Sequence, residues 1–529
     1  MMIQSQLAAA SARLAAGDAS GAETLCRNVL AQAPGAAEAH LLMGIILSGR
    51  GEVRAGLEEF NRALASRPGF APAMAQKARA LDSIGRRSEA IEAAEAAGAR
   101  AEDAYSLDTA GVVLTRAGLH EKAAGLYGRA VKAGGAPGYF YNYGAALQFL
   151  GRFDEARLAY RECITRAPNH AKAWAGLVQI TRQTRDDNQI GQLTQLAKLA
   201  GQARDGETFH SLGHALAKAY EDLGDYPQSM EWLTRAKAPL KARYREAADI
   251  AMFDAAVRSL DISPAKGLVG AAPIFVCGMP RTGTTLVDRI LSNHSLVSSA
   301  GELDDFPLAL RHVSGSRAPG LLSAPLIEAG GKADAEDVGR DYMAHATARQ
   351  PPKARFVDKL PLNFFVIPLI LRALPDARVI CLRRHPADAV LSNYRQEFAG
   401  SFTHLDYAFD LESTARYYVA FDRLMAALKA RLPPDKFCQV WYEDIVSDLD
   451  GQVRRMLDFC GLGFEEACLR FQDNASPVAT ASAAQVRQPL YSSSVGRWRK
   501  YRPAIDPALH VLVDAGVMQA SELASGERA

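Results

Sequence analysis

Two patterns of apolar and polar positions divide the chain. Up to about residue 238, apolar residues recur at helical spacing with small residues set among them, and beyond residue 272 short apolar runs alternate with helical stretches. The first pattern is also periodic on a longer scale. Gly44, Ala78, Gly111 and Gly144 stand 34, 33 and 33 residues apart. Ala22, Gly56, Ala90, Ala123 and Ala156 form a second series at nearly that interval, and Ala63, Ala97, Ala130 and Cys163 form a third. Small residues at fixed places in paired helices let neighbours approach, and Pro34, Pro68 and Pro168 mark places where a helix must stop. The series predict helix–turn–helix units starting near Ala37, Ala71, Ala104, Pro137 and Ala171. A partial unit precedes them and a divergent one covers 216–238, while 180–207 fit less well and read as a helical spacer.

This pattern resembles the tetratricopeptide repeat, which implies an N-terminal all-α solenoid over 1–238 with a concave face. A plain alanine-rich helical bundle is the alternative. Tyr139, Tyr141, Asn142 and Tyr143 are candidates to line that face for a protein partner, or else to pack the superhelix.

Residues 239–261 read as a connecting helix and 263–272 as a Gly/Pro-bearing linker. Ile274 to Cys277 then form an apolar run, followed by a turn from Gly278 to Gly283 and by Thr284-Thr285-Leu286 opening a helix. Leu286, Ile290 and Leu291 share one face of that helix. Further apolar runs at 354–357, 378–382 and 437–441 alternate with helical stretches at 361–373, 386–398 and 408–430. Leu449, Val453 and Leu457 step along another helix. The alternation predicts a C-terminal α/β domain over 273–529, P-loop-like, with a parallel sheet. Ligands of such sheets sit beyond the carboxyl ends of the strands. The expected tips carry Arg281, Asp358-Lys359, Arg383-Arg384 and Tyr442-Glu443-Asp444, which suit an anionic ligand.

The turn at 278–283 is itself a place for an anion, because amides at a helix N-terminus and the helix dipole point at it. Its spacing nearly reproduces GxxxxGK[ST], but Thr284 stands where the lysine belongs and a cation, Arg281, lies in the turn.

Composition narrows the partners. In 529 residues the net charge is +2, with 48% hydrophobic and 23% charged residues, so a basic site has to be local. The run Arg497-Trp498-Arg499-Lys500-Tyr501-Arg502 is therefore not read as nucleic-acid binding. Seven cysteines without CxxC or histidine companions read as small buried residues of a reducing compartment. No stretch approaches the roughly 18 apolar residues of a membrane span. No basic segment precedes an apolar core at the N-terminus, so the expected location is cytoplasmic.

Residues 273 to about 502 resemble the sulfotransferases that use 3′-phosphoadenosine 5′-phosphosulfate (PAPS). They are most similar to the tyrosylprotein sulfotransferase branch and to bacterial proteins joining tetratricopeptide repeats to such a domain. Four motifs in the family's order carry the resemblance: Pro280-Arg281-Thr282-Gly283-Thr284-Thr285-Leu286, Arg384 with Ser392, Trp441-Tyr442-Glu443-Asp444, and Ser482 to Arg487 with Arg497-Trp498 beyond.

The resemblance implies that Arg281, the amides of Thr282, Gly283, Thr284 and Thr285, and the two threonine hydroxyls cradle the 5′-phosphosulfate. It implies that Arg384 and Ser392 hold the 3′-phosphate, with Arg383 as the alternative in a shifted register. Lys359 and Ser482 would stabilise the bridging oxygen, although Leu360-Pro361 follow the lysine where the branch usually has Asp-Pro. Tyr442 would lie near the cofactor, and Arg487 and Arg497 would close over its phosphates. Glu302 is the candidate general base and His294 its rival; Asp304 and Asp305 lie close by in sequence. The acceptor would be a hydroxyl, for example of a peptide or carbohydrate, recruited or oriented by the repeats. No metal is expected, since no strand-end aspartate for a magnesium ion is evident. Two alternatives stand beside this reading: an ATP-dependent phosphotransferase, which lacks its loop lysine here, and a repeat scaffold with a silent nucleotide domain.

Overall fold

The computed structural model describes residues 2–262, 266–270, 272–347, 353–398, 403–474, 490 and 492–524. The chain splits into two compact units, residues 1–181 and 182–529.

The first unit is all helix. Helices pair as Ala37–Gly49 with Val53–Ser66, Ala71–Ser83 with Arg87–Arg100, Ala104–Arg116 with His120–Ala133, and Pro137–Phe149 with Phe153–Arg166. A further pair, Met2–Ala15 and Ala19–Gln32, precedes them, and Ala171–Ile180 follows. The starts agree with the units expected from the small-residue series. Gly44, Gly111 and Gly144 sit where an aromatic ring of the second helix lies across the first: a Cβ on Gly144 would meet the Tyr160 ring at 2.8 Å. The turn inside each pair carries a glycine at positive φ (Gly51, Gly85, Gly118 and Gly151, 77 to 85°), a fourth series at the same interval. Neighbouring pairs are joined by side chains such as Asn142, which donates to Asp108 at 2.9 Å. Tyr141 packs at 5.1 Å from His170 and 6.1 Å from Tyr160.

The second unit opens with helices Ile190–Gln202, Gly206–Asp222 and Tyr226–Lys237, which the repeat pattern assigns to the end of the solenoid. A five-stranded sheet follows: β1 (Ile274–Gly278), β2 (Val297–Ser299), β3 (Arg355–Asp358), β4 (Arg378–Arg383) and β5 (Phe437–Trp441). Its order is β2-β3-β1-β4-β5 and every pairing is parallel. β1 lies between β3 and β4 in the middle, where Phe275 pairs with Asp358 on one side and Val379 on the other. The sheet is covered on both faces, as strands without alternating polar positions require. Ile274, Val276, Ile380, Leu382 and Val440 pack with helix Thr284–Ser292 and with Val453 and Leu457 of helix Leu449–Phe459. On the other face Phe275 meets Phe306 and Tyr342, and Cys381 meets Met425 of helix Leu411–Arg431. Three helices, Asp305–Ser314, Ala324–Lys332 and Ala335–Thr347, connect β2 to β3. No described helix is long and apolar enough to cross a membrane.

Replacing Gly144 by valine should lower the stability of the first unit by about 1–3 kcal/mol, since the Tyr160 ring must move aside. Chemical denaturation followed by far-UV circular dichroism measures the loss; an unchanged midpoint would contradict the packing described.

Candidate active site

β1 ends in a turn whose backbone leaves the ordinary region three times: Gly278 at φ 138°, Arg281 at 66° and Gly283 at 108°. Glycine takes such values without strain, whereas a left-handed arginine is uncommon. Gly283 is the N-cap of helix Thr284–Ser292 and has no side chain to cap it. A Cβ there would meet the Tyr442 ring at 2.8 Å. Thr282 is fully buried and its hydroxyl donates to the Met279 carbonyl at 2.7 Å, closing the turn from within. Thr284 and Thr285, also buried, open the helix.

The turn is held from outside by the strand-end arginine. Arg384 donates from Nη1 to the Arg281 carbonyl (2.9 Å) and from Nη2 to the Ser494 carbonyl (2.7 Å). Its guanidinium lies over the Tyr442 ring at 5.0 Å, and the Tyr442 hydroxyl shares a 2.8 Å hydrogen bond with Ser494 Oγ. Arg384 Nε is buried with no hydrogen-bond partner among the described residues. The adjacent Arg383 turns the other way. It pairs with Asp422, donates to Gln439 at 2.9 Å and lies over the Phe421 and Trp441 rings.

Helix Pro386–Arg395 adds two residues not singled out in the sequence. Asn393 is fully buried and donates to the Pro280 carbonyl at 2.8 Å, while its own carbonyl accepts from the Tyr407 hydroxyl at 2.9 Å. Asp388 accepts from the amides of Gly496 (2.6 Å) and Trp498 (3.0 Å), fixing the segment that carries Ser494. Ser392 lies on the same helix, half-buried. Glu443 accepts from the His385 amide at 2.9 Å and so anchors the backbone just after Arg384.

The β3 tip carries a second cluster. Lys359 is buried, with its side chain 3% exposed, and its ammonium donates to Glu302 Oε1 at 2.5 Å; the glutamate is 42% exposed. The pair is built by the backbone, because the Lys359 amide donates to the Gly301 carbonyl at 2.8 Å. Asp288, buried on helix Thr284–Ser292, accepts from Ser299 Oγ at 3.0 Å. Burial raises its pKa, opposed by the charge of Lys359 and the Ser299 hydroxyl. Asp358 ends β3, at the tip where the sequence pattern puts it. Its carboxylate accepts from the Tyr342 hydroxyl at 3.0 Å and the Leu360 amide at 3.2 Å, and burial pushes its pKa up to about 8.

The other residues singled out in the sequence lie elsewhere or are not described. His294 stands at the far end of the loop helix, where Nε2 bonds the Gly463 carbonyl at 3.0 Å and Nδ1 accepts from the Leu296 amide at 3.1 Å. Asp304 is the N-cap of the next helix and Asp305 its buried first residue. Arg497 pairs with Glu221 of helix Gly206–Asp222 at 3.3 Å, a carboxylate it shares with Arg395. Ser482 and Arg487 lie outside the described residues.

The fold class is therefore a helical repeat unit joined to an α/β domain with a parallel sheet. Residues 273–466 match the model of the sulfotransferase family, and residues 137–180 match the tetratricopeptide repeat. The chain thus carries a sulfotransferase-family domain together with tetratricopeptide repeats. An uncharacterized protein of Aquifex aeolicus is 30% identical over 382 residues, covering 69% of this chain and 49% of that protein. The protein-tyrosine sulfotransferase of Drosophila melanogaster is 22% identical over 244 residues, 42% of this chain and 46% of its own length. The match thus spans about half the length of each of these two relatives. Among solved structures, the sulfotransferase domain of the Synechococcus PCC 7002 olefin synthase covers 47% of this chain and 98% of its own at 19% identity, with a TM-score of 0.33. Pseudomonas aeruginosa pilF covers 41% and 92% at 17% identity, with a TM-score of 0.31.

Gly283→Ala should destabilise the second unit by about 1–2 kcal/mol through the left-handed backbone alone, and by more if the Tyr442 ring cannot shift. Urea denaturation followed by tryptophan fluorescence, with Trp232, Trp441 and Trp498 in the second unit, measures this; equal midpoints would show that the loop is freer than described.

Proposed function

We propose that this protein is a PAPS-dependent sulfotransferase, moving a sulfuryl group to a hydroxyl acceptor that the repeats recruit or orient. The observation that carries the reading is the coupling of Arg384, Arg281 and Tyr442 around an uncapped helix N-terminus, with the Lys359–Glu302 pair at a neighbouring strand tip. The donor set fits a ligand with two separated anionic groups. The left-handed turn and the helix amides suit one of them. Arg384, with its buried Nε still to be satisfied, and Ser392 suit the other.

PAPS brings a sulfuryl group already bonded to a phosphate oxygen, the bond that is exchanged for one to the acceptor oxygen. Arg281, the amides of 282–285 and the Thr284 and Thr285 hydroxyls hold the 5′ end. Arg384 and Ser392 hold the 3′-phosphate. Glu302 takes the proton of the acceptor hydroxyl, and its exposed edge leaves room for the acceptor to arrive from solvent. Lys359, buried beside it, holds the carboxylate in place and stabilises the charge that develops on the departing oxygen. The TPR-type unit supplies a surface suited to a protein partner.

The product nucleotide PAP should raise Tm without added metal, and the same nucleotide lacking its 3′-phosphate should do so much less. Equal shifts would remove the 3′-phosphate assignment, and a shift seen only with ATP and Mg²⁺ would favour a phosphotransferase. Glu302→Gln should lose turnover by a hundredfold or more while keeping its PAP shift, about the scale of one general base. Transfer of label from sulfur-labelled PAPS into a fractionated extract reads that turnover and identifies the acceptor; near-normal activity would move the base elsewhere.

A further inference from the structure

Lys237 ends the helix Tyr226–Lys237, well before the sheet begins, yet it is 1% exposed. Its ammonium donates to the main-chain carbonyls of Ala408 (2.9 Å) and Gln396 (3.2 Å). It also faces the rings of Tyr394 at 5.0 Å and Phe409 at 5.6 Å. Gln396 is the C-cap of helix Pro386–Arg395, and Ala408 lies in the 3₁₀ segment Thr403–Phe409. The last carbonyls of a helix have no partner within it, and a cation placed there meets both that need and the helix dipole. One side chain thus ties together two segments that are distant from it in sequence.

Both segments lead on to the phosphate loop. Tyr407, next to Ala408, donates its hydroxyl to Asn393 at 2.9 Å. Asn393, three residues before Gln396, donates to the Pro280 carbonyl at 2.8 Å, and the Gln396 amide donates back to the Asn393 carbonyl at 3.1 Å. Tyr407 and Asn393 are both fully buried, and the Tyr407 ring stacks on Tyr417 at 3.8 Å. From Lys237 Nζ to the turn after β1 the path therefore runs through water-excluded hydrogen bonds.

We propose that Lys237 is a positioning residue for the phosphate loop, setting the backbone of Pro280 and Arg281 through Tyr407 and Asn393. This rests on reading 278–285 as the 5′-phosphosulfate site. A buried ammonium costs several kcal/mol in desolvation, and an apolar residue of similar size would fill the space without that cost. The ammonium is explained by the two carbonyls it holds in register. The charged and titratable groups around it are His210 and His214 on the preceding helix, Glu397, and Arg243, which lies over the Phe409 ring and pairs with Asp406. Burial pushes Lys237 down to about 7, with Glu397 pulling it back up.

The test uses the full chain and PAP as the probe, with affinity read by calorimetry and stability by Tm. Lys237→Met, which keeps the volume and removes the donors, should weaken PAP binding about tenfold, the scale of coupling carried through packed networks. Tyr407→Phe should weaken it in the same direction, and the double variant should lose no more than the worse single one. A residue that only stabilises the fold would lower Tm and leave PAP affinity where it was, and that result overturns the proposal. So does simple addition of the two losses. Should Lys237→Met fail to fold, Tyr407→Phe decides alone, and wild-type PAP affinity in it ends the idea. Absence of PAP binding in the unaltered protein would instead bring down the sulfotransferase reading, and this inference with it.

Discussion

The hydrogen bond from Arg384 to the carbonyl of Arg281 is the constraint on which the second unit's geometry depends. A turn with two glycines and an arginine in left-handed backbone is expensive to hold and has no regular secondary structure to hold it. The adjoining strand supplies the restraint, since β4 pairs in register with β1 and delivers a guanidinium just beyond the turn. That guanidinium is in turn confined by the Tyr442 ring beneath it and the Ser494 carbonyl beyond. Tyr442 also occupies the space over Gly283, so one aromatic ring orders both the cation and the loop.

The two units are built on different economies of contact. In the first, each helix pair meets only its neighbours, and rings such as Tyr160 fill the places left by small residues. In the second, contacts span long stretches of chain: Arg289 reaches Asn474, His385 reaches Glu522, and Glu221 reaches both Arg395 and Arg497. The helices at 190–237 belong to this second kind. Their polar side chains, Ser211, Glu221 and Lys237, engage residues that follow β4.

Much of this was legible in the sequence because it is written in spacing. The repeat interval, the β1–turn–helix order and three of the other four strands follow from periodicity and from where glycine and proline fall. β2, Val297–Ser299, was not visible, because three residues make no pattern, and its place at the sheet edge is settled by pairing with β3. The turn glycines of the repeats are a fainter signal than the small residues within the helices, because a single glycine between helices is common in any chain. Arg383 and Arg384 could not be separated by pattern, since alternation says that they face opposite ways but not which way each faces. Asp422 and Gln439 draw one of them, and the loop carbonyl draws the other. Asn393 and Asp388 carry no sequence signal, because the contacts that tie them to the site are to main-chain atoms more than one hundred residues away, the Pro280 carbonyl and the amides of Gly496 and Trp498.

The order of the strands has a consequence for how the chain reaches this state. β1 must wait for β3, about eighty residues further on, and for β4 after that, before either edge of its ladder is satisfied. Pairings of such separation form slowly, because loop closure precedes any gain from contact, whereas stacked helix pairs form from neighbours alone. During synthesis the repeats emerge first and can fold at once, while the central strand stays open until most of the second unit has been made. The unit that needs only local contacts is thus complete before the one that must close its sheet over long stretches of chain.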